Sequence, residues 1–126
     1  LNNEVGKNIL VAWDSSAQAA RALNDALPIL KNAETIKIVS ISEKRKQKNS
    51  TSDICEMLSR LDIKATGVDE GEHYNRAERL LELADQWDTD LIVAGAWGHE
   101  RLTEIIFGGV TKTLFTNQKI PVFFAH

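Results

Sequence analysis

Apolar residues recur along this chain in two alternating modes: short unbroken runs, and stripes spaced three and four residues apart. Residues 8–14, NILVAWD, are apolar at successive positions and end in a carboxylate, the pattern of a central strand covered on both faces. Ser15-Ser16 then offers a helix N-cap. Ala19, Ala20, Leu23, Ala26, Leu27 and Leu30 follow at helical spacing. Pro28 falls late in that stripe, where its ring removes an amide donor and should bend or weaken the last turn. Residues 35–42 are rich in β-branched side chains and predict a second strand. Residues 43–52 are polar and without period, which predicts an exposed loop.

Thr51-Ser52-Asp53 can cap a helix that carries Ile54, Met57, Leu58 and Leu61. Residues 63–68 predict a third strand, and Ala77, Leu80, Leu81, Ala84 and Trp87 form the stripe of a further helix. Glu78, Glu82 and Asp85 fall on that helix's wet face. Asp90 leads into a fourth strand over residues 91–95. Leu102, Ile105 and Ile106 suggest one short helix, and Val110, Leu114 and Phe115 another. Residues 121–125 predict a last strand with Pro121 at its first position, where a missing amide is tolerated.

The resulting order, β-α-β-α-β-α-β-α-β, implies an α/β fold with a five-stranded, mostly parallel sheet and helices on both faces. Sheets of this kind bind ligands beyond the carboxyl ends of their strands, where the strand order reverses. Asp14, the pair Ile41-Ser42, and Gly95 are the strand ends that qualify.

The chain's 126 residues suit one domain, spanning residues 1–126. A net charge of −3 argues against a nucleic-acid partner, which would favour a basic surplus. With one cysteine, Cys55, no intramolecular disulfide can form, which fits a reducing, cytoplasmic setting. No apolar run approaches the roughly 20 residues that span a bilayer, so no membrane role is expected. No secretory leader is visible. The chain begins at Leu1 and not at Met, as a processed product or a piece of a longer protein would.

The sharpest chemical signal is Gly95-Ala96-Trp97-Gly98-His99, with Gly108-Gly109-Val110-Thr111 further on. A glycine after a buried strand lets backbone amides approach a phosphate without Cβ interference; a tight strand-to-loop turn needs glycine equally. The amides after Gly108 begin the final helix, whose N-terminus carries about half a positive charge and favours an anion. A break that turns the chain back onto the sheet would look the same.

Asp14 can contact a ligand directly or through a cation, or complement a helix dipole. His99 has no carboxylate at fixed spacing to orient it as a base, so no catalytic residue emerges. Arg101 can reach a phosphate or pair with Glu104. Trp97 can cover a ligand or pack its loop down. The basic run Lys44-Arg45-Lys46-Gln47-Lys48 lacks interleaved aromatics and reads as a solvated loop. Cys55 reads as a small core residue. A lone cysteine and scattered histidines give no zinc site.

Three stretches carry a resemblance to the universal stress protein (UspA-like) family: residues 9–16; Asp90-Leu91-Ile92-Val93-Ala94-Gly95 with Gly98-His99; and Phe107-Gly108-Gly109-Val110-Thr111 with residues 121–126. The resemblance covers nearly the whole chain. It implies a Rossmann-like domain of the adenine nucleotide alpha hydrolase type. Nucleotide-binding members carry Gly, two residues, Gly, nine residues, Gly, then Ser or Thr. Gly95, Gly98 and Gly108 match that pattern in type and spacing, whereas Gly109 stands where a hydroxyl is expected. Thr111 is near enough to supply another.

By the same resemblance, Asp14 lies beside the nucleotide and the backbone at Ile41 reads the adenine edge. The nucleotide surroundings then comprise Ala12, Asp14, Ile41, Gly95, Trp97, Gly98, His99, Gly108, Gly109, Val110 and Thr111. Ala12-Trp13-Asp14, Ala20-Arg21-Ala22-Leu23 and residues 98–102 resemble the second domain of tandem members. In the family the last strand pairs with its counterpart, which implies a homodimer, or a tandem pseudo-dimer, through Val122 to Ala125.

The function implied is a stress-response regulatory module that binds ATP, AMP or ADP with Mg²⁺. No metal-ligating residue is expected, apart from a role for Asp14 through a phosphate-bound Mg²⁺. No P-loop lysine motif or arginine finger is present, so hydrolysis would be slow at most. The alternative is a structural or interaction dimer with a vestigial site. A metabolic enzyme is the least favoured reading, because no nucleophile-base pair emerges and fold alone names no reaction.

Overall fold

The computed structural model describes residues 5–41, 50–71, 76–95 and 120–125. Five strands, β1 (Asn8–Ala12), β2 (Thr35–Ile41), β3 (Thr66–Glu70), β4 (Leu91–Gly95) and β5 (Val122–Ala125), form one sheet in the order β3-β2-β1-β4-β5. Every pairing is parallel. The helices among the described residues are α1 (Ala17–Asp25), α2 (Leu27–Leu30), α3 (Thr51–Ser59) and α4 (Arg76–Gln86). The chain winds outward from β1 through β2 to β3, then returns to the other side of β1 for β4 and β5. The expected α/β architecture is what forms, and its strand order reverses between β1 and β4.

Alternation along the strands divides the core in two. Ile9, Val11, Trp13, Ile36, Ile38, Leu91 and Val93 face α1, α2 and α3. Leu10, Ala12, Val39, Ile41, Ile92 and Ala94 face Leu80, Leu81, Leu83 and Ala84 of α4. Cover on both faces explains why β1 and β4 read as unbroken apolar runs.

Several boundaries differ from the sequence expectation, each for a local reason. β1 ends at Ala12, not Asp14, although the Trp13 amide still donates to the Val39 carbonyl at 2.8 Å. Pro28 does not bend or weaken the last turn of the first helix: α1 has already stopped at Asp25, and Pro28 sits in the first turn of α2. A missing amide costs nothing there.

The N-cap of α3 is Ser50 and not the Thr51-Ser52-Asp53 group. Ser50 and Asp53 bond each other's amides, both at 3.1 Å, in a capping box. Thr51 is thereby free to sink into the core. It is 1% exposed and its hydroxyl donates to Asp69 Oδ1 at 3.2 Å.

The third strand lies at Thr66–Glu70, later than residues 63–68. Asp62 adopts φ 63°, and the Ile63 amide returns to the Leu58 carbonyl at 2.9 Å. Ile63 therefore plugs the end of α3 as a buried residue. Met57 and Leu61, expected on the apolar face of that helix, are exposed, and Cys55 is half-buried. Leu83, absent from the expected stripe of α4, is buried. The helices expected over residues 102–115 lie outside the described residues.

At the amino edge of the sheet, Asp90 accepts from three consecutive backbone amides: Gly6 at 2.7 Å, Lys7 at 3.1 Å and Asn8 at 3.0 Å. One carboxylate thus ties the entry of β1 to the entry of β4. No helix among the described residues is long and apolar enough to cross a membrane.

Candidate functional site

Because all strands run the same way, their carboxyl ends share one edge. Ala12 closes β1, and its register partner on β2 is Val39. Ile41 therefore stands two residues further out, at the end of β2. Gly95 closes β4 on the other side of β1, paired with Ala125. Asp14 follows β1 between these two flanks. Of the expected site residues, Ala12, Ile41 and Gly95 end three adjacent strands at one edge of the sheet, and Asp14 follows β1 there, beside the β1–β4 switch point. Trp97, Gly98, His99, Gly108, Gly109, Val110 and Thr111 lie outside the described residues. So do Ser42, Arg101, Glu104 and the basic run at residues 44–48.

Asp14 has a definite local task. Its Oδ1 accepts from the Ser16 amide at 2.9 Å, closing a turn in which Ser15 takes φ 64°. Short polar side chains stabilise such turns by bonding their own backbone two residues on. Ser16 then caps α1, its hydroxyl accepting from the Ala19 amide at 3.0 Å. The carboxylate thus stands at the start of a helix whose dipole favours negative charge, and at the ligand-binding edge of the sheet.

Gly95 has a structural duty that the sequence reading missed. A Cβ there would lie 2.6 Å from the Gln18 carbonyl carbon and 2.7 Å from the Ala19 nitrogen. The backbone of β4 and the first turn of α1 meet with no room for a side chain. The glycine is thus needed for helix-to-strand contact, whatever the backbone beyond it does. The available signal was the small-residue sequence Ala17-Gln18-Ala19-Ala20 opening the first helix.

Glu70 and Arg79 were not singled out by the sequence reading. Glu70 ends β3 as the register partner of Ile41. Arg79 Nε donates to its Oε1 at 2.8 Å, and Arg79 also bonds Glu82 at 3.1 Å. These bonds, that to Glu70 first, push the guanidinium further above its ordinary range. A pairing from α4 to the end of β3 holds that corner beside the β2 terminus.

Cys55 is the other perturbed group. Burial, and then the charge of Asp69, push its thiol up. Between the ordinary thiol pKa and this raised one, the unfolded chain has released its proton and the folded chain has not. This contribution to stability is therefore intact below the unfolded value and falls as pH rises. Iodoacetamide at pH 8 is accordingly expected to alkylate Cys55 more slowly in the native protein than in urea, read by mass spectrometry. Equal rates would contradict the shift. Among the described residues, no group of three or more His, Cys, Asp or Glu side chains is placed to hold a metal ion.

With this geometry in place, comparison with known proteins identifies the class. Residues 64–126 match the Universal stress protein family, and the chain belongs to that family. No curated protein matches it. Among solved structures, a universal stress protein from Archaeoglobus fulgidus is 21% identical with a TM-score of 0.72. The match covers 96% of this chain and 44% of that one, so this chain spans less than half the length of that relative.

A second Archaeoglobus fulgidus universal stress protein, solved in complex with dAMP, is 19% identical over 95% of this chain and 98% of its own, with a TM-score of 0.60. A universal stress protein in complex with cAMP is also 19% identical, over 95% and 97%, with a TM-score of 0.59. Likeness at this level of identity establishes the fold.

Proposed function

We propose that this chain binds an adenine nucleotide at the carboxyl edge of its sheet and acts as a stress-response regulatory module. One observation carries the reading: Asp14 and Gly95 flank the β1–β4 switch point at the carboxyl edge of a universal stress protein sheet, the place where such sheets take ligands, with Ile41 ending the neighbouring strand β2 at the same edge. The dAMP and cAMP complexes of two structural relatives support the choice of adenylate.

In this reading the backbone at Ile41 meets the base. Amides around Gly98 and Gly108 meet the phosphates, with Trp97, His99 and Val110 nearby. Asp14 faces the ribose-phosphate side, directly or through a phosphate-bound Mg²⁺. Thr111 supplies the hydroxyl that Gly109 lacks. The ligand is ATP, ADP or AMP, and hydrolysis is slow at most.

The test is a thermal melt with ATP and Mg²⁺. A ligand at a hundred times its Kd stabilises by about 2.7 kcal/mol, a shift of about 10 °C for a domain of this size. An unchanged melt at millimolar nucleotide would remove the reading. Asp14→Asn separates the residue's two duties. The amide oxygen still accepts from Ser16, so the fold should stay within about 0.5 kcal/mol of wild type, as at a surface position. Loss of the charge should weaken Mg²⁺-ATP binding about tenfold or more, equivalent to about 1.4 kcal/mol. Asp14→Ala should lose the turn as well, costing about 1 kcal/mol. Calorimetric titration of both variants checks this; equal affinity in Asp14→Asn and wild type would exclude a charge role. If Thr111 replaces the missing hydroxyl, Thr111→Ala should abolish the ATP-induced shift, and an undiminished shift would refute that role.

Gly109 favours a second reading, an interaction protein with a vestigial site. In either case β5 ends the strand order, and an uncovered edge strand invites pairing. A two-fold dimer through Val122–Ala125, or a pseudo-dimer in a tandem chain, is the arrangement we favour. A monomer by light scattering at tens of micromolar would contradict it.

A further inference from the structure

We draw no further inference here: the strongest candidate, the exposed apolar pair Met57 and Leu61 at the C-terminal end of α3, carries nothing, because nothing among the described residues shows what covers it.

Discussion

Gly95→Ala is expected to lower the melting temperature by about 10 °C, corresponding to about 3 kcal/mol, the upper part of the range for overpacking. The added methyl would sit 2.6 Å from one backbone atom of α1 and 2.7 Å from another. Backbone cannot swing aside as a side chain can, so β4 and α1 must separate. The cost should appear without any nucleotide, because it arises between two elements of the fold. If Gly95→Ala melted with wild type and lost only ligand affinity, the close contact with α1 would be wrong and the glycine would serve the ligand alone.

Asp90→Ala should lose at least about 3 kcal/mol, since one deletion strips the acceptor from three part-buried backbone amides and a single hydrogen bond to a charged group already contributes about 1.5–3 kcal/mol net. The three bonds lie at 2.7–3.1 Å and join residues more than 80 positions apart in sequence. The change should lower the urea midpoint with an unaltered slope. Asp90→Asn should fall between, because its amide keeps one acceptor oxygen but turns a donor toward an amide. A loss below about 1 kcal/mol in Asp90→Ala, within reach of an ordinary surface substitution, would mean that water serves these amides equally well.

Much of this architecture was legible because the strongest signals are local. The apolar runs of β1 and β4 need cover on both faces, and only a parallel sheet between helix layers supplies it. Pro28 suggested a bent last turn in one helix, whereas the chain stops at Asp25 and restarts with Pro28 in the first turn of α2. What remained hidden depended on contacts distant in sequence. Ile63 read as strand because it is β-branched and apolar, but its burial comes from closing the end of α3. Thr51-Ser52-Asp53 reads as the cap because each of the three side chains can accept from a helix amide. The capping box of Ser50 with Asp53 settles the start of α3, and Thr51 packs beside Gly67, where a Cβ would approach its hydroxyl to 2.7 Å.

At the site, Ile41 and Gly95 were visible as strand ends and do end β2 and β4, whereas Asp14, expected to end the first strand, lies two residues beyond it. The reason for glycine at position 95 was hard to see, since the alanines that open the first helix hint at a close approach but do not say which strand's end they meet. Arg79 and Glu70 escaped notice because a pair spaced nine residues apart matches neither the helical nor the strand period.

The most direct test of the account is an NMR titration of isotopically labelled protein with Mg²⁺-ATP, followed amide by amide. Shifts are expected for Trp13 to Ser16, Ile41 and Gly95 at the carboxyl edge, with Asn8, Thr35 and Leu91 at the opposite edge unmoved. Shifts concentrated at the Asp90 edge, or none at millimolar nucleotide, would contradict it.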